Sequence, residues 1–423
     1  MKKDLNHKGF KGFVRQNKFM LGAMAMGIAT ASIVVPVATP STVEAATTTF
    51  KDVPKSHWAY DSIKQVAEKG LVAGYSDGTY KPSAQVTRAE FATFLSRVFD
   101  GKDRTPSKFT DVNSSHWANE AIQEGLAVGF IQASDFANNK FEPNKAMTRG
   151  EMSRWLANGL AHANADYGKA IEEMANSSLT LIPIPEFYGG GVNKKDLPYI
   201  GVALGTGLLS GYEDFTFKPN GNTTRAEVAT ILIRFMDAMK KAPSEFTGLQ
   251  ELLEVAESGT NILTLTTFKV RNGSYKEVLG KPHTYLNHTG VATIEHAIFV
   301  DTTGSKPKGI FKDMFFNEKT EDAVFLNKGL YRIFYEYTFK PSRDVSFQSV
   351  SNGSDMHYAS AILVDKSKIE LFNLTSPKST SKNEFLKGET YRYWAHNGVG
   401  SQPGKIFGSS TDDESLFYYE VPK

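Results

Sequence analysis

The sequence predicts a multidomain chain, with an all-α-rich repeat of three units followed by an antiparallel β-sandwich-like domain. Three observations carry this expectation. A helix-start signature recurs at regular offsets through the first half. The second half is built of short β-forming runs separated by Gly, Asn and Ser. The 423 residues include no cysteine, which excludes a disulfide framework, a thiolate metal site and a thiol nucleophile.

Residues 1–45 stand apart. Lys2, Lys3, Lys8, Lys11, Arg15 and Lys18 form a basic leader, and an uncharged stretch from Phe19 to Val43 follows, ending at Val43-Glu44-Ala45. This is the pattern of a secretory signal peptide with a small-residue cleavage site. An uncleaved membrane anchor is the alternative, since the run exceeds the ~20 residues that span a bilayer. Removal of this segment takes away six basic and two acidic residues and moves the formal charge from +2 to −2. A near-neutral mature protein has no general affinity for nucleic acid. Stable membrane insertion is not expected once the leader is gone.

Phe50-x-Asp52-Val53 and His57-Trp58-Ala59 return as Phe109-x-Asp111-Val112 and His116-Trp117-Ala118, at an offset of 59. Two extra loop residues then shift the offset to 61, which carries Pro82 onto Pro143 and Arg88 onto Arg149. A third copy at offset 137 places Phe187, Ile200, Gly207, Pro219 and Arg225 in register, with Lys194-Lys195-Asp196 where the others have His-Trp-Ala. The units span 47–105, 106–165 and 184–243, with a helical insertion at 166–183.

Each unit reads as helix, turn, short extended segment, helix. The second helix opens with a capping box: Thr87 with Glu90, Thr148 with Glu151, Thr224 with Glu227. Val86 with Phe91 and Met147 with Met152 sit where a hydrophobic staple closes, whereas Thr223 weakens the third. Phe91, Phe94, Leu95 and Val98 recur at spacings of three and four, which is a core face. Arg88, Arg149 and Arg225 then fall at the first helical position, where a cation opposes the helix dipole. Two readings remain open. The arginine and the free N–H groups of the helix start together receive an anion, or the arginine pairs internally with a loop carboxylate such as Asp77 or Asp214.

The run Phe-x-Asp-Val-x3-His-Trp-Ala, Gly-Tyr-x-Asp-Gly-Thr-Tyr-x-Pro, Thr-Arg-Ala-Glu-Phe-Ala resembles the S-layer homology (SLH) domain. Three tandem copies are the usual arrangement of that family. The resemblance implies a pseudo-threefold helical SLH trimer with grooves between lobes. It also implies non-covalent binding, on Gram-positive surfaces, to secondary cell-wall polysaccharide bearing ketal-linked pyruvate. By motif, Arg88, Arg149 and Arg225 would contact the pyruvate carboxylate. Asp77 and Gly78 would meet sugar hydroxyls, with Asp214 as the third-unit counterpart of Asp77, while Trp58 and Trp117 would either wall the grooves or pack as inter-helix core. The second unit departs from this pattern with Asn138-Asn139, and the third with Phe215 in place of the glycine, where it should crowd a ligand.

From about Phe246 the texture changes. Leu249, Leu252, Leu253 and Ala256 suggest a connector helix within 244–258. Residues 259–423 then offer strands at Leu263–Val270, Val291–Val300, Leu330–Phe339, Ala359–Val364, Ile369–Leu374, Thr390–Ala395 and Leu416–Val421. Tyr331, Ile333, Tyr335, Tyr337 and Phe339 alternate with polar neighbours. His283, His288, His296, His357 and His396, with Asp301 and Asp355, lack any compact ligand spacing and read as surface residues. Ser401, Ser409 and Ser410 belong to no G-x-S-x-G elbow, and Asp412-Asp413-Glu414 reads as a solvated turn. Trp394 is either core or a sugar-stacking aromatic.

The expectation is therefore a secreted surface protein, not an enzyme, without cofactor or metal, displaying a β-rich binding or adhesive domain. A wall-processing hydrolase and a self-assembling lattice subunit are the alternatives. The capping assignment carries its own test. Thr87→Ala should lower stability by about 1 kcal/mol in thermal melting, and an unchanged melting temperature would remove the box.

Overall fold

The computed structural model describes residues 49–316, 326–353, 360–361, 366–377 and 382–423, so the leader lies outside the described residues. Three lobes follow one another. Each supplies two helices, Tyr60–Glu68 and Arg88–Phe99, Asn119–Val128 and Arg149–Ala163, and Leu197–Gly205 and Arg225–Ala238. The second helix of each unit packs against the first helix of the next, with Arg225–Ala238 returning to Tyr60–Glu68. All three capping boxes are complete: the threonine hydroxyl accepts from the glutamate N–H, and the glutamate carboxylate accepts from the threonine N–H. Phe91, Phe94 and Leu95 are buried, while Val98 packs at the edge of the same core.

The Phe-x-Asp motif has a structural task. Asp52 accepts from the N–H groups of Tyr80 and Lys81, both at 2.8 Å, tying the start of the lobe to its central turn. Asp111 does the same for Phe141 and Glu142. In lobe 3 the repeat register puts Gly189 at that place, and Glu186 accepts from Phe217 and Lys218 instead. The third unit keeps the bond with a longer acid displaced along the chain.

The segments entering the capped helices join the lobes into a ring. Gln85 bridges Thr224, Thr87 bridges Ala146, and Thr148 bridges Asn222, so each lobe is paired with both others. Around it, the insertion supplies a helix, Ala165–Asn176, with Tyr167, Ala170 and Met174 buried. The connector is a helix at Thr247–Ser258 that packs on Leu197–Gly205. Gly205 permits that approach: a Cβ there would lie 2.6 Å from the Leu249 Cα.

Among the described residues eight strands follow: β1 (Lys269–Gly273), β2 (His283–Thr284), β3 (Gly290–Asp301), β4 (Leu330–Pro341), β5 (Ser360–Ala361), β6 (Tyr391–Gly400), β7 (Ile406–Ser410) and β8 (Leu416–Glu420). They form two antiparallel sheets, of order β2-β3-β4-β6-β5 and β1-β8-β7. The alternation along β4 sends Tyr331, Ile333, Tyr335, Tyr337 and Phe339 into an aromatic core shared with Phe407, Phe417 and Tyr419 of the smaller sheet. The opposite face of β4 is also covered. Phe334 stacks on Phe315 at 3.7 Å, Trp394 lies 5.5 Å from Phe315, and this cluster is continuous with the core of the helical lobes. Trp394 is thus a core residue. Thr48 to Lys423 form one compact unit in which sheet and lobes share apolar contacts.

Two expected strands differ. Residues 262–265 form a helical turn, with β1 beginning only at Lys269, and Ile369–Leu374 begins within the helix Lys366–Leu371. Short apolar runs do not distinguish the two periods by themselves, and in each case apolar residues three apart, Ile262 with Leu265 and Ile369 with Phe372, turn to one packed side. Of Ala359–Val364, Ser360 and Ala361 are strand and the rest lies outside the described residues. No helix among the described residues is long and apolar enough to cross a membrane.

Glu251 marks the junction between the connector helix and the sheets. Its carboxylate accepts from Asn261 Nδ2 at 2.9 Å and from the N–H of Ile310 at 3.2 Å, and Asn261 in turn holds both backbone groups of Phe299. Burial pushes its pKa up to about 7. A raised carboxyl pKa favours the folded state fully below about pH 4.5, and that contribution is lost as pH rises through about 7. Glu251→Gln should flatten this slope and raise stability near pH 8 by roughly 2–3 kcal/mol. Denaturant melts at pH 5 and pH 8 would show it, and parallel slopes in both proteins would refute it.

Candidate functional site

The arginines at the helix starts are buried, at 6% exposure for Arg88, 4% for Arg149 and 3% for Arg225. Each reaches into another lobe. Arg88 donates to the Phe141 carbonyl and to Glu142, both at 2.8 Å, and to Glu151. Arg149 donates to the carbonyls of Phe217 at 2.7 Å and Ser210 at 2.6 Å. Arg225 donates to the carbonyls of Tyr80 and Ala73 and to Glu90. The contacts run from lobe 1 to lobe 2, from 2 to 3, and from 3 to 1.

The expectation of free N–H groups at these helix starts is corrected. The N–H of Arg88 donates to Lys145 O and that of Ala89 to Pro143 O, while Glu90 N–H goes to its threonine cap. Arg149 and Gly150 use Gly221 and Pro219, and Arg225 and Ala226 use Ala84 and Pro82. Neighbouring carbonyls occupy the place an anion would take. The internal pairing involves glutamates of the capping boxes and Glu142, not Asp77 or Asp214.

Two open clefts remain beside these arginines. One, of about 210 Å³, is lined by Tyr75, Glu90, Thr93 and Arg97 of lobe 1, Trp117 of lobe 2 and Arg225 of lobe 3. The other, of about 170 Å³, repeats it with Tyr212, Glu227, Thr230 and Arg234 of lobe 3, Trp58 of lobe 1 and Arg149 of lobe 2. Trp58 is 67% exposed and Trp117 62%, so these rings are groove walls and not inter-helix core. The preceding histidine sets each one: His57 Nδ1 accepts from Ala59 N–H at 3.1 Å with its ring stacked on Trp58, and His116 does the same before Trp117.

Asp77 and Asp214 lie outside these linings. Asp77 accepts from the N–H and hydroxyl of Thr79, which hold its pKa below the usual carboxylate range. Asp214 is held at about 2 by Lys218 and by Thr216. Both are exposed and shape their own turns. Gly78 has φ +79°, which a side chain adopts only under strain. Phe215 takes that place at φ 65° and faces the C-terminal half, with the Lys368 ammonium over its ring, so it does not crowd the groove.

The cleft at the lobe 2 position, about 410 Å³, has no tryptophan wall and is lined by Asp135, Arg154, Lys194, Lys195 and Tyr199. Lys195 stands where the others have tryptophan, Arg154 where they have Thr93 and Thr230, and Asn158 where they have Arg97 and Arg234. Arg154 bridges Asp135 of its own lobe and Asp196 of lobe 3, so the charge lining this cleft is already paired. Tyr75, Arg97, Tyr212 and Arg234 escaped the motif reading, yet their signal was present, because Tyr75 and Arg97 recur as Tyr212 and Arg234 at the same offset of 137.

The histidines are less exposed than expected. His283, His296 and His396 are buried. His296 sits between Glu336, at 2.7 Å, and the Leu179 carbonyl, at 3.0 Å, tying the insertion to β3. Asp301 accepts from Thr303 within its own turn. Among the described residues no three His, Asp or Glu side chains gather as metal ligands, and His357 and Asp355 lie outside them. The acidic turn is structured: Asp412 accepts from Thr284 and Asp413 from Thr411.

A ring of three capped lobes, with tryptophan-walled clefts between neighbours, defines a repeat-built surface-attachment module. The S-layer homology domain family matches residues 49–92, 108–153 and 192–229, so this part of the chain carries three S-layer homology domains, and these domains together with the S-layer relatives indicate a secreted protein of the cell-wall surface. It is 24% identical over 399 residues to the surface-layer 125 kDa protein of Lysinibacillus sphaericus, covering 88% of this chain and 30% of that protein. It is 29% identical to the S-layer protein sap of Bacillus anthracis, over 64% of this chain and 32% of that one. An amylopullulanase of Thermoanaerobacterium thermosulfurigenes is 30% identical over 45% of this chain and 10% of its own length. The chain thus spans a third or less of these relatives.

The buried arginines should behave as inter-lobe staples. Arg88→Ala removes the partner of Glu151 and of the Phe141 carbonyl, while Glu142 keeps Lys145, so stability should fall by about 1–3 kcal/mol. Trp58→Ala should leave it within about 0.5 kcal/mol, as for an exposed side chain. Thermal melting of the pair checks this, and equal melting temperatures would contradict it.

Proposed function

We propose that the protein is held non-covalently on the cell wall by the clefts of lobes 1 and 3, which take an anionic secondary wall polysaccharide bearing pyruvate ketal. The observation that carries this reading is the repetition of one open cleft, in which an exposed tryptophan faces an exposed arginine, Trp117 with Arg97 and Trp58 with Arg234. An indole face suits the apolar side of a sugar ring, and a guanidinium forks onto a carboxylate. Arg225 and Arg149 form part of the floor with one edge of the guanidinium already committed to carbonyls. Their contribution to an anion is therefore electrostatic first. Asp77, Gly78 and Asp214 act by shaping the turns that carry Tyr75 and Tyr212. Lobe 2, with Lys195 and the Arg154 bridges, is read as structural.

The C-terminal half is read as a displayed, non-catalytic unit. A lattice subunit is the second reading. The similarity to the surface-layer 125 kDa protein favours it, since that match covers 88% of this chain and so extends beyond the three domains. Electron microscopy of purified protein would separate the two, because sheets indicate a lattice and monodisperse particles indicate display.

Trp58→Ala and Trp117→Ala should each weaken retention on purified wall sacculi about tenfold, or on the order of 1.4 kcal/mol. The double variant should lose more than either, because two linked sites act as one avid site. Chemical removal of pyruvate should abolish binding of the wild type. Undiminished retention of the double variant would overturn the cleft assignment, and retention on depyruvylated wall would overturn the choice of anion.

A further inference from the structure

We infer that the lobe 3 cleft continues into a second subsite, one wall of which belongs to the C-terminal half, so that wall polymer is gripped by both halves of the chain. This rests on the cleft reading proposed above.

A cleft of about 350 Å³ lies on the far side of the Ser210–Tyr212 turn. Leu209, Ser210, Gly211 and Tyr212 line it and the Trp58 cleft alike, so one turn is the wall between two adjacent clefts. Its other wall is Gly309 to Asp313, the segment preceding and opening the short helix Lys312–Phe315. The volume falls within the ~300–1,000 Å³ of small-ligand sites. The counterpart cleft of lobe 1 is lined by residues of the three lobes alone.

The chemistry of the second cleft is that of a carbohydrate site. Tyr212 and Phe215, whose rings carry the cations of Arg149 and Lys218 and of Lys368, stand beside Ser210, Lys312 and Asp313 on an otherwise apolar lining that includes Ile184 and Ile310. Lys312 and Asp313 are partly exposed and paired with each other at 2.7 Å. A pair between chain neighbours in contact with water is weak and exchanges readily for ligand hydroxyls or a carboxylate. A polymer leaving the Trp58 cleft past Tyr212 therefore meets a further sugar-sized space with polar groups of both signs. The position of the wall is secured by the Lys368 ammonium, which donates to the Asp313 carbonyl and sits over Phe215.

The test uses the full chain carrying Trp117→Ala, so that the lobe 3 cleft dominates binding. The probe is purified wall polysaccharide, fractionated into single-repeat and multi-repeat oligomers, with affinities read by calorimetry. Adding Lys312→Ala and Asp313→Ala should weaken multi-repeat oligomers about three- to tenfold and leave single-repeat oligomers unchanged. If both lengths bind as before while Trp58→Ala still weakens them, the extension is wrong and the cleft reading stands. If Trp58→Ala changes neither length, the cleft reading itself fails and the extension falls with it.

Discussion

The structure depends on how three helix starts are satisfied. A capped helix leaves N–H groups at its first positions, and here the carbonyls of a neighbouring lobe take those of Arg88 and Ala89, Arg149 and Gly150, Arg225 and Ala226. The arginine side chains then donate across the same boundaries. A cation at a helix start is unfavourable for that helix alone. It becomes favourable when its guanidinium neutralises the capping glutamate of the next lobe, as Arg88 does for Glu151 and Arg225 for Glu90. No lobe can complete its own helix start, so the three are obliged to close on one another.

That closure creates the clefts. Where lobes meet, the tryptophan of one stands opposite the capped helix of another, and the arginine of the third contributes to the lining. Each cleft is thus made of three lobes, and Arg149 and Arg225 belong both to a cleft lining and to the inter-lobe ties. Lobe 2 shows the reverse exchange. Its equivalent positions hold Arg154 and Lys195, and the Arg154 bridges to Asp135 and Asp196 add an inter-lobe tie in a cleft that has no tryptophan wall.

The C-terminal half is joined to the ring through apolar contact. Both faces of β4 are covered, one by the smaller sheet and one by residues continuous with the helical core. An antiparallel sheet commonly leaves one face to water. Burial of both faces binds the sheet to the lobes, with Glu251 and the His296–Glu336 pair as polar ties at the seam.

Much of this was legible in the residues. The offsets 59, 61 and 137, the three capping boxes and the apolar spacing of Phe91, Phe94 and Leu95 determined three helical units, because they are local patterns read within a few turns of chain. The alternation along β4 determined a strand for the same reason. Tertiary structure alone decided what the arginines face, since Phe141, Phe217 and Tyr80 lie 53, 68 and 145 residues away. It also decided that Trp58 and Trp117 are exposed, because a ring at the start of a helix can face solvent or a neighbour with the same spacing. The short runs at 262–265 and 369–374 were settled by packing, because in so few residues the periods 2 and 3.6 coincide and only the neighbouring core selects between them.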